Sequence, residues 1–233
     1  ISGAVAMALE VLWSRALALV LGSSVYSFTL VLAVFLVGLA LGAAMMGRRK
    51  LDDPMARLAW TFLGVSASIA LTHFLIDDLP QVFLALLTGS RLDVDTILFL
   101  QLLIAAVAIM PAAIGLGAVM PLCVHAYART LGDVGRDVGR VYAANTLGAI
   151  VGSVAGGFVL LPIFGLDHAI RVCLFVEVAL ALSLVHRLAT RRARRTAWAL
   201  AGLLALGVFT LPAWNINVLV SGAFRVSLAK RFV

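Results

Sequence analysis

The residues best suited to chemistry in this sequence are polar side chains inside apolar stretches. Glu10, Arg15 and Glu177 interrupt otherwise apolar segments, and Tyr142 and Asn145 lie near the start of another. An ionisable group inside a membrane is costly, so it is usually paired or faces a water-filled pathway for an ion or substrate. These five residues therefore form the candidate intramembrane polar site.

Two interpretations of this site stay open. Glu10 and Arg15 are five residues apart, which is about 140° around a helix, so each is expected to find its partner on another helix. For Glu10 we expect that partner to be Asn145 or an arginine, and Glu177 is expected to behave similarly. The pairs either serve a function or only fix the packing, and Tyr142 and Asn145 equally fit a role in holding helices together.

The motifs of soluble enzymes are missing from the sequence. There is no HExxH, CxxC or phosphate-binding loop, and the glycines at 152–157 lie inside an apolar helix with no preceding strand. No two of the four histidines have the i,i+4 spacing of a helical metal site. Cys123 and Cys173 lie in apolar segments and are interpreted as small buried hydrophobic residues. We therefore predict no catalytic, cofactor-binding or metal-binding residue in this chain.

The composition predicts an all-α, polytopic membrane protein. Of 233 residues, 63% are hydrophobic and only 12% are charged, and the mean hydropathy is +1.11. Soluble domains carry about 25% charged residues. The net charge of +7 comes from basic residues grouped in short loops. That grouping sets membrane orientation, so we expect a lipid bilayer and no nucleic acid as partner.

About seven stretches are predicted to cross the bilayer: 1–21, 25–46, 56–76, 96–127, 139–166, 168–188 and 196–211. The fourth is expected to break near Pro111 or Pro121. The segment 80–87 is too short to span and is predicted to be interfacial or re-entrant. Residues 1–212 thus form the membrane domain, and 213–233 have the alternation of strands and read as the start of a truncated C-terminal domain.

The loops predict the orientation. Those after the second, fourth and sixth stretches are basic, and the loop around 77–95 is acidic. Basic loops face the cytoplasm. The expected arrangement is a multi-pass protein of a bacterial-type plasma (inner) membrane, with a cytoplasmic N-terminus and an extracytoplasmic C-terminus.

Small residues recur every four positions along 139–166, where they form one groove on a helix: Ala144, Gly148, Gly152 and Gly156. Close backbone contact through small residues is a main way to hold membrane helices together. We expect 139–166 to be the central packing helix of the bundle. Its expected partner is 25–46, through Gly38 and Gly42.

The two halves of the membrane domain share a weak pattern. Val-Tyr at 25–26 and again at 141–142 is followed by glycines four residues apart, and the two groups of three stretches would run in opposite directions. Inverted three-helix repeats build many transporters. The alternative is that small residues recur in unrelated membrane helices.

Several motifs follow one another along the chain: EVLWSR at 10–15, LGSSVY at 21–26, GLALG at 38–42, MP at 110–111 with MPL at 120–122, YAANTLGA at 142–149, LP at 161–162 and GL at 165–166. Together they resemble the N-terminal membrane module of the membrane-fused spermidine synthase family, and the motif at 142–149 is the most specific. The segment 214–225, with Ser221-Gly222, is similar to the first strand of that family's aminopropyltransferase domain.

The resemblance implies a membrane module ahead of a domain with a Rossmann-like fold. In the family, that domain transfers an aminopropyl group from decarboxylated S-adenosylmethionine to putrescine, and its catalytic residues would lie after Val233. The expected function is to anchor, and to serve, such a domain. The alternative is a transporter-like or accessory subunit of a membrane complex without catalysis, and a homo-oligomer or larger complex stays open. A glycine-rich loop and a following acidic residue after Val233 would favour the first.

Overall fold

The computed structural model describes residues 1–47, 52–87, 93–127, 134–215 and Leu219. Within these ranges all regular structure is helical: α1 (Ser2–Leu21), α2 (Val25–Gly47), α3 (Pro54–Leu75), α4 (Leu79–Leu87), α5 (Val94–Tyr127), α6 (Val134–Ala155), α7 (Leu161–Val185) and α8 (Arg191–Thr210). A π-helical turn, Gly156–Leu160, joins α6 to α7. The predicted all-α class is confirmed for the described residues.

Five helical runs in the described ranges are long and apolar enough to cross a membrane: α1, α2, α3, α5 and the run Gly135–Val185. They confirm the prediction of a multi-pass membrane protein. Helix α8 is not among them, and four arginines occupy its first turns. Most of the strand-like segment 213–233 lies outside the described residues, and the three described positions 213–215 form no strand.

Helix α1, and not α6, lies at the centre of the bundle. Within an apolar window of 18 residues, 56% of α1 is buried, but only 11% of the run Gly135–Val185. Helix α1 packs against α2, α6 and α7, whereas α6 packs mainly against α1. The prediction that 139–166 is the central helix is therefore wrong. Its small residues make one narrow contact stripe, and large apolar side chains such as Leu147 and Val151 are exposed on its other sides, as suits contact with lipid.

The helices form two parallel pairs. Gly3 of α1 lies against Asn145 of α6, and Ala8 lies against Gly156, so both residue numbers increase together. In the second pair, Ser27 of α2 donates a hydrogen bond to Gln101 of α5 (3.4 Å). Farther along that pair, Gly42 lies against Ala118. Helix α3 is antiparallel to α5, because Thr72 bonds the carbonyl of Ala108 while Val65, earlier in α3, lies beside Gly115, later in α5.

Opposite charges mark the two ends of the bundle. The basic end is defined by arginines in the first turns of α3, α6 and α8: Arg57, Arg136, Arg140, Arg191, Arg192, Arg194 and Arg195. The acidic end is defined by aspartates near the end of α3 and the starts of α5 and α7: Asp77, Asp78, Asp93, Asp95 and Asp167.

Two glycines change the chain direction at the acidic end. Gly22 (φ 99°) ends α1, and Gly165 (φ 71°) interrupts the helix just after Pro162. Both conformations lie in the left-handed region that favours glycine. After Gly165 the chain returns toward the basic end, where Leu180 of α7 lines the same cavity as Ile1, the residue before α1. The predicted end of the 139–166 stretch near Gly165 is confirmed.

The predicted break in the fourth stretch is wrong, because α5 continues through Pro111 and Pro121. A proline lacks the N–H donor and crowds the carbonyl four residues earlier, but membrane helices tolerate it where neighbouring groups satisfy the freed backbone. Pro111 leaves the carbonyl of Val107 without its helical donor. The hydroxyl of Thr72 on α3 bonds the adjacent carbonyl, that of Ala108, so one side chain of α3 contacts the backbone of α5 near its first proline.

Candidate functional site

Glu10 and Arg15, the predicted polar residues of α1, have no partner on another helix within the described residues. Ser14 Oγ donates a hydrogen bond to Glu10 Oε1 (3.3 Å) on the same helix. Arg15 is exposed, and Glu10 is half-buried. The expectation that Glu10 binds Asn145 or an arginine is therefore wrong. A serine four residues farther along lies on the same face of the helix, so the carboxylate needs no distant partner.

Asn145 serves the contact between α6 and α1. A Cβ atom at Gly3 would lie 2.5 Å from the carbonyl oxygen of Asn145 and 2.6 Å from its Oδ1. Asn145 thus fills the space that a larger residue at position 3 would need. Tyr142, one turn earlier, is 57% exposed. The two residues that we placed in one polar site therefore face different surroundings.

Gly148 and Gly152 of α6, and Gly156 of the π-helical turn, lie directly against the backbone of α1. A Cβ atom at Gly152 would lie 2.0 Å from the carbonyl oxygen of Ala4, and one at Gly156 would lie 3.0 Å from the Cα of Ala8. Gly148 is also close to Ala4, at 3.3 Å from its nitrogen. Ala144 does not extend this contact stripe, since it is exposed at the edge of a cavity.

Gly38 and Gly42 of α2 have a different partner from the one predicted. A Cβ atom at Gly38 would lie 2.5 Å from the Cβ of Ala113, and one at Gly42 would lie 1.9 Å from the carbonyl oxygen of Ile114. Both neighbours belong to α5. The predicted contact between these glycines and those of α6 is therefore wrong. A small-residue stripe accepts any helix that brings its own small residues, so the stripe does not identify its partner.

Glu177 of α7 is fully enclosed. Its exposure is 0%, and neither carboxylate oxygen has a hydrogen-bond partner in the part of the chain that the structure describes. Helix α7 packs its buried face against α3 and α1. Among the five residues of the predicted polar site, Glu177 alone combines a carboxyl group with complete burial.

A cavity of about 730 Å³ opens at the basic end, between α1, α3, α5, α6 and α7. Its walls are mainly apolar, with Phe62 and Leu180 among them, and its polar lining residues include Asp137 and Asn145. Cys123 also lines this cavity. The cavity therefore offers a route by which water or a small amphiphilic molecule can enter the bundle from the basic end.

A polar cluster that was not predicted from the sequence lies at the acidic end. We call it the latch cluster, and it consists of His73, Asp167, Arg171 and Trp214. The guanidinium group of Arg171 donates to Asp167 (Nε to Oδ2, 3.1 Å). It also donates to the backbone carbonyls at the end of α8, those of Val208 (3.0 Å), Leu211 (3.0 Å) and Pro212 (2.9 Å).

His73 connects α3 to the same cluster. Its Nε2 lies 3.1 Å from Asp167 Oδ1 and 3.3 Å from the Pro212 carbonyl, and because both neighbours are acceptors, Nε2 carries a proton. Trp214 stacks on the His73 ring, with centroids 4.9 Å apart, and its Nε1 donates to the His73 carbonyl (2.9 Å). The cluster thus joins α3, α7 and the segment that follows α8.

Part of the latch cluster was readable from the sequence. Asp167 and Arg171 have the i,i+4 spacing of a helical ion pair. No local signal connects them with His73 or Trp214, which lie far away in sequence. Comparisons of the chain with protein families, curated proteins and solved structures found no match.

Proposed function

We propose that this chain is a membrane module that anchors a C-terminal domain and holds it in a defined orientation. The observation that carries this proposal is the latch cluster, which binds the chain where it leaves α8. By resemblance of the motifs along the chain, the domain would be an aminopropyltransferase-like enzyme of the spermidine synthase type. Decarboxylated S-adenosylmethionine would be a substrate of that domain and not a ligand of the bundle.

The exit from α8 is bound at successive positions. The carbonyls of Leu211 and Pro212 accept hydrogen bonds from Arg171. Trp214 is 7% exposed and bonds to α3, and the N–H of Asn215 donates to the carboxylate of Asp77 (3.2 Å). A flexible linker is characterised by few buried contacts and solvated backbone groups. These contacts instead support a fixed exit.

The topology that we propose for this module has seven crossings, with α7 and α8 as the last two. The helix directions support it, because α8 ends at the acidic end beside the start of α7. Basic residues near membrane segments favour the cytoplasmic side. The C-terminal domain would then lie outside the cytoplasm, away from the cytosolic pool of decarboxylated S-adenosylmethionine, and would need its donor on that side.

The test uses the full-length protein in lipid nanodiscs. We expect its sequence after Val233 to carry a glycine-rich nucleotide loop followed by an acidic residue, and the purified protein to form spermidine from putrescine and decarboxylated S-adenosylmethionine. Limited proteolysis around 211–215 measures anchoring, and we expect Arg171→Ala to cleave faster there than Arg15→Ala. A stop codon or an unrelated domain after Val233 would reject the enzyme assignment, and equal cleavage would reject the anchoring role.

A second candidate is a transporter-like module, and the helix pairing favours it. In an inverted three-helix repeat, α1, α2 and α3 of the first half correspond to α5, α6 and α7 of the second half. The α1–α6 pair then corresponds to the α5–α2 pair, and the structure contains both pairs, each parallel. This is the relation expected of such a repeat. The cavity opens at one end, as in one state of an alternating-access protein.

Thiol labelling distinguishes the two candidates. Cys123 lines the cavity and is the probe, while Cys173 is buried and serves as the internal control. For a transporter-like module, the labelling rate of Cys123 from the basic end should change when a transported solute is added. For an anchor, that rate should stay constant across candidate polyamines and other amphiphilic cations.

A further inference from the structure

Glu177 is a carboxyl group without a hydrogen-bond partner among the residues that the structure describes. Its exposure is 0%, and both oxygens lack a hydrogen-bond partner in the described part of the chain. An unpaired carboxylate anion is strongly unfavourable in such surroundings. The neutral acid, which keeps its proton, avoids this cost.

Among the described residues, no charged group of the neighbouring helices forms a hydrogen bond with Glu177. The helices packed against α7 are α1, α3 and α8. The N-terminal amine of Ile1, next to α1, acts on Glu177 electrostatically but forms no hydrogen bond with it. The ionisable side chains of these helices are Glu10, Arg15, Arg57, His73, Arg191, Arg192, Arg194 and Arg195. Glu10 accepts from Ser14, His73 is bound to Asp167, and no described arginine of these helices bonds Glu177. On α7 itself the nearest ionisable group in sequence is Cys173, which is buried and uncharged as a thiol.

The cavity at the basic end comes close to this carboxyl group. Leu180 of α7 lines the cavity, and Glu177 lies three residues earlier, about 4.5 Å along the helix axis toward the middle of the bundle. Phe62 of α3 lines the same wall. A cavity of about 730 Å³ with polar groups such as Asn145 in its lining has room for water. Water can therefore approach Glu177 to within about one helical turn.

We propose that Glu177 is a proton-binding site that exchanges its proton with water at the basic end through this cavity. Leu180 forms the last barrier along that route. The ligand is the proton, which binds to a carboxylate oxygen and leaves from it with no other chemical change. The proposal does not depend on the identity of the C-terminal domain, because none of the groups involved belongs to the latch cluster.

Infrared spectroscopy of the full chain in nanodiscs tests the bound proton. A protonated carboxyl group without a hydrogen bond absorbs in a separate high-frequency carbonyl region. We expect such a band in the wild type, its loss in Glu177→Gln and its retention in Glu10→Gln, which changes a half-buried, hydrogen-bonded glutamate. Identical spectra for the wild type and Glu177→Gln would overturn the proposal.

Hydrogen–deuterium exchange tests the route. After transfer into D₂O, the band should shift severalfold more slowly in Leu180→Trp than in the wild type, because the indole narrows the inner end of the cavity. Leu203→Trp is the matched control, since Leu203 of α8 is 66% exposed on the outer surface. An unchanged rate in Leu180→Trp, or equal slowing in both variants, would overturn the cavity as the pathway.

A third measurement needs no substitution, and it applies if Glu177→Gln does not fold. Dicyclohexylcarbodiimide is an apolar reagent that modifies protonated carboxyl groups within membranes. Peptide mapping of the treated wild-type protein should find the adduct on Glu177. An adduct on Glu10 with none on Glu177 would overturn the proposal.

Discussion

The guanidinium group of Arg171 donates hydrogen bonds to one carboxylate and to three backbone carbonyls. Asp167 and Arg171 are each 12% exposed, so removing the arginine leaves a largely buried carboxylate whose remaining partners among the described residues are His73 and His168. We predict that Arg171→Ala lowers the free energy of unfolding by about 3 kcal/mol, as for other broken buried pairs. Arg171→Lys should recover part of this loss, because it keeps the charge but not the planar set of donors.

Unfolding in detergent, followed by circular dichroism, measures the effect of these two substitutions. Arg15→Ala is the control, because Arg15 is exposed and has no described partner in the bundle. Its effect should stay within about 0.5 kcal/mol. A loss of similar size in Arg15→Ala and Arg171→Ala would contradict the role of the latch cluster.

Trp214 makes two separable contacts with His73. We predict that Trp214→Phe, which keeps a stacked ring but removes the Nε1 donor, destabilises the junction by about 1 kcal/mol. Trp214→Ala removes both contacts and should destabilise it further. The rate of proteolysis around 211–215 measures these differences, and equal rates for the two variants would show that ring stacking contributes nothing.

At the level of single residues, the sequence identified local chemistry better than distant partners. It singled out Glu177 as a carboxyl group in an apolar helix, and the structure encloses it completely. It could not join His73 to Trp214, because these residues are 141 positions apart and their contact depends on how three helices meet. It also assigned Glu10 to a distant partner although Ser14, four residues away, supplies one.

Glycines at helix contacts, such as Gly152 and Gly42, differ from glycines such as Gly64 in the atoms that an added Cβ atom would meet. A Cβ atom at Gly152 would lie 2.0 Å from a backbone oxygen of α1, whereas one at Gly64 of α3 would have no other heavy atom within 4 Å, apart from its chain neighbours and its own helical backbone. We predict that Gly152→Ala costs about 1–3 kcal/mol through overpacking. Gly64→Ala should instead stabilise α3 by up to about 1 kcal/mol through helix propensity.

Thermal unfolding in one detergent compares this pair of variants, which add the same methyl group. Gly42→Ala should behave as Gly152→Ala does, since its Cβ atom would meet the carbonyl oxygen of Ile114 at 1.9 Å. A stable Gly152→Ala variant would show that α6 can move away from α1 at little cost.

The sequence predicted the helices more reliably than their neighbours. Long apolar runs bounded by glycines or charged loops fix the length and the ends of a helix, so α1, α2 and α3 fall close to the predicted limits. Partner choice is different, because the stripes of α2 and α6 are built from similar small residues. Both stripes pack against a helix, but the stripe of α2 packs against α5 and the stripe of α6 packs against α1.

For the whole molecule, the central prediction is which side of the membrane each end faces. We expect cysteine at position 189 to react with a membrane-impermeant reagent only after permeabilisation, and cysteine at position 213 to react in intact cells. Both positions are exposed alanines, at the start and the end of the α8 segment. The measurement uses variants in which Cys123 and Cys173 are alanine, and the opposite pair of results would reverse the topology.

The π-helical turn at Gly156–Leu160 has a consequence for how the chain tolerates changes in length. A π turn holds one residue more than an α turn, as the bond from the Leu161 N–H to the Gly156 carbonyl shows. Removing Phe158, which is 81% exposed, would convert it to an α turn while both flanking helices keep their contact faces. Removing Val151 from the regular part of α6 would instead rotate Gly152 and Gly156 by about 100° around the helix axis relative to Gly148. The π-helical segment is therefore a place where one residue can be lost without separating α6 from α1.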